Sequence, residues 1–192
     1  DQSLEIFGKS LGQKIIQAVE DHKEKSKIVF VPSVKQAAAL AKQTGAEYVC
    51  ADTPKKERSQ IISDLKAGSI KTVFNVNVLS VGFDYPELEM IIDACPTLSL
   101  ARHYQKVGRL TRPHASKSVG KIVDFSGNTE RFGKVEDIEF KKVGTTYHIF
   151  SGAKQLSGVY FGEIHAKKPV SFTAKKFTDI EFTFGKHKGQ TI

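Results

Sequence analysis

Cysteine, tryptophan and long apolar runs are scarce in this sequence. Among its 192 residues are two cysteines, one methionine and no tryptophan. Cys50 and Cys95 belong to no Cys-x-x-Cys or Cys/His spacing, so the sequence predicts neither a disulfide framework nor a metal site. Each cysteine lies in an apolar stretch, and we expect both to be buried thiols in a reducing compartment.

No stretch of the chain approaches the roughly 18 consecutive apolar residues of a membrane-spanning helix. The first residues, Asp1-Gln2-Ser3, do not resemble the start of a signal peptide. We therefore expect a cytosolic protein with no membrane partner. Because the sequence does not begin with methionine, we also expect it to be a fragment of a longer chain.

The overall composition is that of a folded domain with a basic surface. Hydrophobic residues make up 40% of the chain and charged residues 26%, which argues against a disordered or fibrous protein. The length suits one α/β domain with a small appendage. The net charge of +8 favours acidic partners, of which nucleic acid is the commonest, although solubility alone also explains such a charge.

Short apolar stretches alternate with stretches of helical spacing through most of the chain. Strands are predicted at 27–32, 47–50, 72–75, 90–93 and 121–125, and helices at 6–25, 34–43, 58–66 and 99–107. This alternation predicts an α/β fold with a mainly parallel sheet and helices on both faces. Ligands of such sheets bind at the carboxyl ends of the strands.

After Val143 the apolar residues recur at every second position instead. Strands are predicted at 145–150, 158–161, 169–172 and 180–184. We therefore expect an α/β domain at 1–143 and a small β-rich tail at 144–192. The tail has seven basic and three acidic residues. Its lysines and aromatic residues are compatible with a face that stacks bases, and equally with core aromatics flanked by solvated lysines.

The segment from Gln105 to Arg112 reads Gln-Lys-Val-Gly-Arg-Leu-Thr-Arg and places two guanidinium groups close together. The planar guanidinium of arginine stays charged and binds phosphate oxygens bidentately. Arg109 and Arg112 are therefore candidates to neutralise a phosphoryl group in transfer. The alternative is a solvated basic helix end.

Two loops that follow predicted strands contain further candidates. Gly82 allows the chain to turn, and Asp84 can hold a ribose hydroxyl or orient a neighbouring arginine, although Gly-x-Asp-x-Pro is also an ordinary loop. Ser33 lies where a strand leads into a helix N-terminus, a place that binds phosphate. With Gln36 it also fits a capping box, and both interpretations stay open.

The order and spacing of these segments resemble the C-terminal helicase domain of superfamily 2 helicases, over about residues 15–140. The matching segments are 28–36 for motif IV, 51–68 for the segment after it, 72–86 for motif V and 105–112 for the Gln-x-x-Gly-Arg-x-x-Arg of motif VI. The stretch 122–133 is similar to the segment after motif VI in bacterial and phage DNA repair helicases of the RadD type.

This resemblance implies a RecA-like domain in which Arg109 and Arg112 act as arginine fingers. It implies a role in ATP binding for Gln105, Gly82 and Asp84, and a role in nucleic-acid binding for Pro32, Ser33, Asn77 and Arg58. Val76-Asn77 stands where Thr-Asp is frequent in motif V, so no phosphate contact is expected from the side chain at position 76. The similarity of 122–133 favours DNA over RNA, and the cytoplasm of a bacterium or of a phage-infected cell.

Two sequence elements that phosphoryl transfer needs do not occur in the chain. It has no Gly-x-x-x-x-Gly-Lys-Ser/Thr loop and no Asp-Glu-x-His or related metal-binding box. ATP and Mg²⁺ are therefore expected to be held mainly by an N-terminal RecA-like domain of the parent protein, and this fragment is expected not to hydrolyse ATP alone.

Two other classes of function remain as alternatives. One is a nucleic-acid-binding or regulatory module that keeps the RecA-like fold without turnover. The other, a small-molecule enzyme, ranks last because the sequence contains no recognisable triad, carboxylate pair or cofactor loop.

Overall fold

The computed structural model describes residues 2–79, 84–117 and 119–157, with the backbone alone for residues 2–10. The helices are α1 (Gln2–Asp21), α2 (Val34–Thr44), α3 (Lys55–Ala67), α4 (Leu100–Leu110) and α5 (Asn128–Phe132), followed by a 3-10 turn at Val135–Asp137. The strands are β1 (Lys27–Phe30), β2 (Glu47–Val49), β3 (Thr72–Asn75), β4 (Met90–Asp93), β5 (Lys121–Asp124), β6 (Ile138–Val143), β7 (Thr146–Ser151) and β8 (Lys154–Gln155).

Strands β1 to β5 form one parallel sheet in the order β2-β3-β1-β4-β5. The three central strands are buried along their whole length, which explains their apolar middle residues, and polar residues occur only at their ends. The predicted RecA-like α/β fold, with a mainly parallel sheet and a small β-rich appendage, is confirmed.

Successive residues of β1 enter two separate cores, one on each face of the sheet. Val29 packs in the core that includes α1 and α2, whereas Ile28 packs in the core that includes α3 and the end of α4. Burying one such side chain contributes about 1.5–3 kcal/mol. The alternation of β1 side chains therefore places helices on both faces of the sheet, as the sequence predicts.

Helix α1 ends at Asp21, earlier than predicted, and Lys27 binds carbonyl oxygens at this end. The Lys27 ammonium donates hydrogen bonds of 2.7 Å each to the carbonyl oxygens of Val19 and His22. These carbonyls have no partner further along the helix, so the buried lysine satisfies them from the first residue of β1. Burial lowers the pKa of Lys27.

The small sheet is antiparallel, in the order β6-β7-β8. Strand β7 confirms the strand predicted at 145–150. Strand β6 was not predicted, and it pairs with β7 across the expected domain boundary after Val143. The chain divides into compact units 1–159 and 160–192, of which the second lies outside the described residues, as do the strands predicted after position 157. The division into a domain at 1–143 and a β-rich tail at 144–192 stays a prediction.

Candidate functional site

The segments that follow β1, β3 and β4 leave the sheet at one edge. In the parallel register, Phe30 pairs with Asn75 on one side and with Asp93 on the other, so the three strands end side by side. This edge is the place where a parallel sheet binds its ligands. It brings the segments resembling motifs IV and V next to the segment that leads into α4.

Helix α4 is held on β4 by a buried ion pair. The Lys106 ammonium lies 2.6 Å and 2.7 Å from the two carboxylate oxygens of Asp93 and donates a further bond of 3.0 Å to the Cys95 carbonyl. The two side chains are 7% and 1% exposed. A charge buried this deeply is tolerated when it is paired and hydrogen-bonded, so this contact determines which side of α4 faces the sheet.

Asn128, at the start of α5, completes this contact. Its Nδ2 donates to Asp93 at 2.9 Å and to the Cys95 carbonyl at 3.1 Å, while its Oδ1 accepts from the Thr97 N–H at 3.0 Å. We refer to Asp93, Lys106 and Asn128 as the Asp93 cluster. This cluster was not predicted from the sequence, although an aspartate that ends an apolar strand is a signal that could have pointed to it.

Arg112 lies just beyond α4 and forms an ion pair with Asp84. The helix ends at Leu110, and the Arg112 Nη1 donates to the Asp84 Oδ1. Of the two roles predicted for Asp84, binding a ribose or orienting an arginine, the contact with Arg112 agrees with the second. Both side chains are partly exposed, at 43% for Arg112 and 75% for Asp84.

Arg109 lies in the last turn of α4 and is 7% exposed. Burial lowers the pKa of its guanidinium, the neighbouring Arg112 lowers it further, and Asp84 opposes both effects. Arg109 and Arg112 are thus close enough to repel each other beside one carboxylate. This arrangement favours the approach of a further anion, such as a phosphate group.

The other two residues predicted to face ATP are less constrained by the structure. Gln105 is exposed on α4, one helical turn before Arg109, so both side chains lie on the same side of the helix. Gly82 lies outside the described residues. The ATP-binding roles of both stay predictions.

The loop after β1 is exposed and leads into a capped helix. Ser33 is the N-cap of α2, and its Oγ accepts a hydrogen bond of 3.3 Å from the Gln36 N–H. The N-cap part of the predicted capping box is therefore confirmed. Pro32 and Ser33 are exposed beside this helix N-terminus, and phosphate binding there stays a prediction.

The loop after β3 is organised by the side chain of Asn75. Its Oδ1 accepts from the backbone N–H groups of Val78 and Leu79, at 3.2 Å and 2.8 Å. Asn77, between Asn75 and Val78, is exposed and has a positive φ of 57°, a conformation that asparagine adopts more readily than most residues. Asn77 is thus an exposed residue of the loop at the edge where the three strands end.

Arg58, which is predicted to bind nucleic acid, contacts backbone carbonyl oxygens of its own domain. Its Nη2 donates to the carbonyl oxygens of Cys50, Ala51 and Thr53, at 3.4 Å, 3.4 Å and 3.0 Å. The guanidinium therefore holds the loop between β2 and α3. The role of Arg58 in nucleic-acid binding stays a prediction, and the structure adds this local role.

Two cavities border α4. The larger, of about 320 Å³, lies between α4, Ile122 of β5 and the segment after α5. The smaller, of about 70 Å³, lies at the carboxyl ends of the central strands. Cys95 lines the smaller cavity and is only partly buried, so the expectation of a buried thiol is wrong for Cys95 and confirmed for Cys50.

In the part of the chain that the structure describes, no helix has the length and apolarity needed to cross a membrane. Across the same ranges, no three acidic, histidine or cysteine side chains are grouped so that they could hold a metal ion.

The chain is similar to two curated proteins from distant sources. It is 33% identical over 119 residues to a 51.5 kDa protein of Lactococcus phage (isolate 7-9), which covers 58% of this chain and 26% of the phage protein. It is 32% identical over 114 residues to the DNA repair helicase/translocase XPB-R of Trypanosoma brucei brucei, covering 57% of this chain and 15% of that protein. The chain thus spans a minor part of either relative.

Solved structures share the fold. The structure of Saccharomyces cerevisiae Dbp5 bound to RNA and ADP BeF3 has a TM-score of 0.51 and 21% identity, over 59% of this chain and 31% of that chain. A hypothetical ATP-dependent RNA helicase from Sulfolobus tokodaii has a TM-score of 0.52 and 24% identity, over 62% of this chain and 36% of that chain. At these identities the likeness shows the fold alone.

Residues 10–114 match the family of the helicase conserved C-terminal domain. The match covers more than half of the 192 residues and includes β1, β3, β4 and α4 with the loops that follow them. The chain therefore belongs to the family of the helicase conserved C-terminal domain.

Proposed function

We propose that this chain is the second motor domain of an ATP-dependent superfamily 2 helicase or translocase, with Arg109 and Arg112 as its arginine fingers. The observation that carries the proposal is the Asp84–Arg112 ion pair, which joins motif V to motif VI beside the buried Arg109. The pair unites the two motifs that such a domain uses to sense nucleotide.

The contribution of this chain to ATP hydrolysis is mainly positive charge. Arg109 and Arg112 bind and neutralise the transferring phosphoryl group, with Gln105, Gly82 and Asp84 nearby. ATP and Mg²⁺ are held mainly by a first RecA-like domain, which is consistent with the absence of a Gly-x-x-x-x-Gly-Lys-Ser/Thr loop in this sequence. By itself the chain then does not hydrolyse ATP.

Contacts inside the domain support a mechanical link between nucleotide and nucleic acid. The Asp93 cluster ties α4 to β4, and β4 pairs directly with β1, whose end leads to Pro32 and Ser33. A displacement of α4 when the two motor domains close is thus transmitted through a rigid sheet to the loops predicted to bind phosphates. Closure of this kind couples the nucleotide state to the grip on a strand.

We propose DNA rather than RNA as the track. The similarity of 122–133 to DNA repair helicases supports this choice, as does the DNA repair helicase/translocase from Trypanosoma brucei brucei among the relatives. Dbp5, which shares the fold, binds RNA, so the choice requires a direct comparison of the two polymers.

The decisive experiment is nucleic-acid-stimulated ATP hydrolysis by the protein with its N-terminal motor domain present. Arg109→Ala and Arg112→Ala are each expected to lower stimulated turnover by about 10³-fold or more, the usual effect of removing an arginine finger. Nucleic-acid binding should persist in both variants. Lys42→Ala, an exposed cation in the last turn of α2, is the control and should retain full activity.

Other outcomes would exclude the proposal. Unchanged turnover in both arginine variants would remove the finger assignment. Nucleic-acid binding without any hydrolysis by the wild type would instead support a binding or regulatory module that keeps this fold.

A further inference from the structure

In the side-chain amide of Asn75 the oxygen accepts hydrogen bonds, whereas the nitrogen has no hydrogen-bond partner among the described residues. Asn75 ends β3 and is completely buried. Two backbone N–H groups, of Val78 and Leu79, donate to its Oδ1, which determines the orientation of the amide. The Nδ2 therefore points the other way, and it has no hydrogen-bond partner within the described structure.

Asn75 lines the cavity of about 70 Å³ at the carboxyl ends of the central strands. Phe30 and Val31 line it from the end of β1, and Thr97 and Arg102 line it from the segment that leads into α4. Arg102 is exposed, and its backbone N–H is bound by the N-cap Ser99. The space admits a few atoms and is too small for a nucleobase.

The polar groups around this cavity favour an anionic oxygen. Asn75 Nδ2 and the Arg102 guanidinium are donors, and Lys106, whose charge is matched by Asp93, also lines the cavity. No aspartate or glutamate is among the lining residues that the structure describes. A lining that supplies donors and no carboxylate of its own suits a phosphate group, which only accepts hydrogen bonds.

We infer that this cavity is a subsite for one backbone phosphate of the nucleic acid, bound by Asn75 Nδ2 and Arg102. The inference rests on the proposed function and adds two residues to the loops predicted to bind the strand. Asn77 lines the same cavity, so a strand that contacts its loop also passes over Asn75.

The subsite also places a nucleic-acid contact on the helix that carries a proposed arginine finger. Arg102 lies in the first turn of α4 and Arg109 in the last, about two helical turns apart. A phosphate bound at one end of α4 therefore biases the position of the other end through a single rigid element.

The test measures binding of a labelled single-stranded oligonucleotide by the protein with its N-terminal domain, over a range of salt concentrations. Asn75→Asp keeps an acceptor for the Val78 and Leu79 N–H groups and replaces the open donor with an oxygen that repels phosphate. Arg102→Gln removes the charge. We expect each to weaken binding about tenfold, and Arg102→Gln to lower the slope of log affinity against log salt by about one.

Lys42→Gln serves as the matched control, because it also removes one exposed positive charge and should leave affinity unchanged. Thermal unfolding of each variant verifies the fold. If Asn75→Asp does not fold, Arg102→Gln still decides, because its side chain is exposed.

Further probes identify the group that is bound. An abasic oligonucleotide should show the same losses as the ordinary one, because it keeps the phosphates and lacks the bases. A loss confined to oligonucleotides with bases would overturn the phosphate assignment. Inorganic phosphate alone should shift the Asn75 side-chain amide signal in NMR spectra weakly, and the oligonucleotide strongly; the reverse order would indicate a site for a free anion.

Different results would exclude the proposed function and the phosphate subsite. A wild-type protein that binds no nucleic acid would remove the proposed function itself. Wild-type binding that folded Asn75→Asp and Arg102→Gln variants match would overturn only the subsite, leaving a cavity that holds water.

Discussion

Asp84 and Arg112 form an ion pair that joins the loop after β3 to the segment after α4, although 28 positions separate them in the chain. Both side chains are partly exposed, and pairs of this kind contribute only about 0–1 kcal/mol to stability. The pair is therefore better suited to orienting Arg112 than to holding the fold together.

Asp84→Asn should leave stability almost unchanged while reducing stimulated ATP hydrolysis. We expect a loss of about tenfold, the effect of a coupling of about 1.4 kcal/mol, because Arg112 loses the group that orients it. Steady-state turnover and thermal unfolding are the measurements. If the pair acts as a unit, the turnover of the double variant Asp84→Asn/Arg112→Ala should equal that of Arg112→Ala alone. Additive losses of turnover would contradict this prediction.

Lys106→Met should be strongly destabilising because it leaves the carboxylate of Asp93 buried without its cation. We expect a loss of about 3–5 kcal/mol in the free energy of unfolding, measured with urea at neutral pH. The matched control is Lys121→Met, which breaks the ion pair with Glu24. The Lys121 side chain is 55% exposed, so its loss should cost about 1 kcal/mol or less. Similar losses in the two variants would show that burial of the Asp93 pair has little energetic effect.

His103 should make stability fall as the pH drops below about 6.5, its ordinary pKa. The ring is buried and stacks on Phe132 with centroids 5.3 Å apart. Burial lowers the pKa of His103, Asp93 opposes this effect, and Lys106 adds to it. The unfolded chain therefore binds more protons than the folded chain below the ordinary pKa, and unfolding becomes easier there.

The contribution of His103 can be isolated by comparison with His103→Gln. As the pH falls from above 6.5 to about one unit below it, the urea midpoint of the wild type should fall relative to that of the variant. A difference that stays constant with pH would mean that His103 does not titrate differently in the folded and unfolded states.

Gly120→Ala should destabilise the end of α4. A Cβ at position 120 would lie 2.5 Å from the Cγ of Leu110 and 2.8 Å from its carbonyl oxygen. Overpacking of this kind costs about 1–3 kcal/mol. Gly108→Ala is the control, because a Cβ there meets nothing within 4 Å, and alanine in a helix should stabilise it by about 0.5–1 kcal/mol. Equal effects of the two substitutions on the melting temperature would contradict the packing argument.

Local signals in the sequence predicted most of the elements. The central strands are apolar runs because they are buried on both faces, and Ser33 is a residue type that caps helices. Strand β6 escaped prediction because it is mostly exposed, so no packing requirement imposes a regular pattern on it.

Side-chain contacts, both local and between distant segments, were much harder to predict than the helices and strands. Arg58 could be read as a nucleic-acid residue from its place in a motif, but only the structure shows its guanidinium on three carbonyl oxygens of the neighbouring loop. Lys106 and Asn128 gave no sign in the sequence that both contact Asp93. These contacts depend on how α4 and α5 pack on the sheet.

The sequence by itself determined the family, the order of strands and helices along the chain, and the spacing of Arg109 and Arg112. These are encoded in local periodicity and motif order. The tertiary structure alone decided that Asp84 contacts Arg112, that Lys106 is buried against Asp93 and that the amide of Asn75 keeps an open donor. Each depends on the distance between segments far apart in the chain and on burial from water. Burial determines the cost of an unpaired polar group.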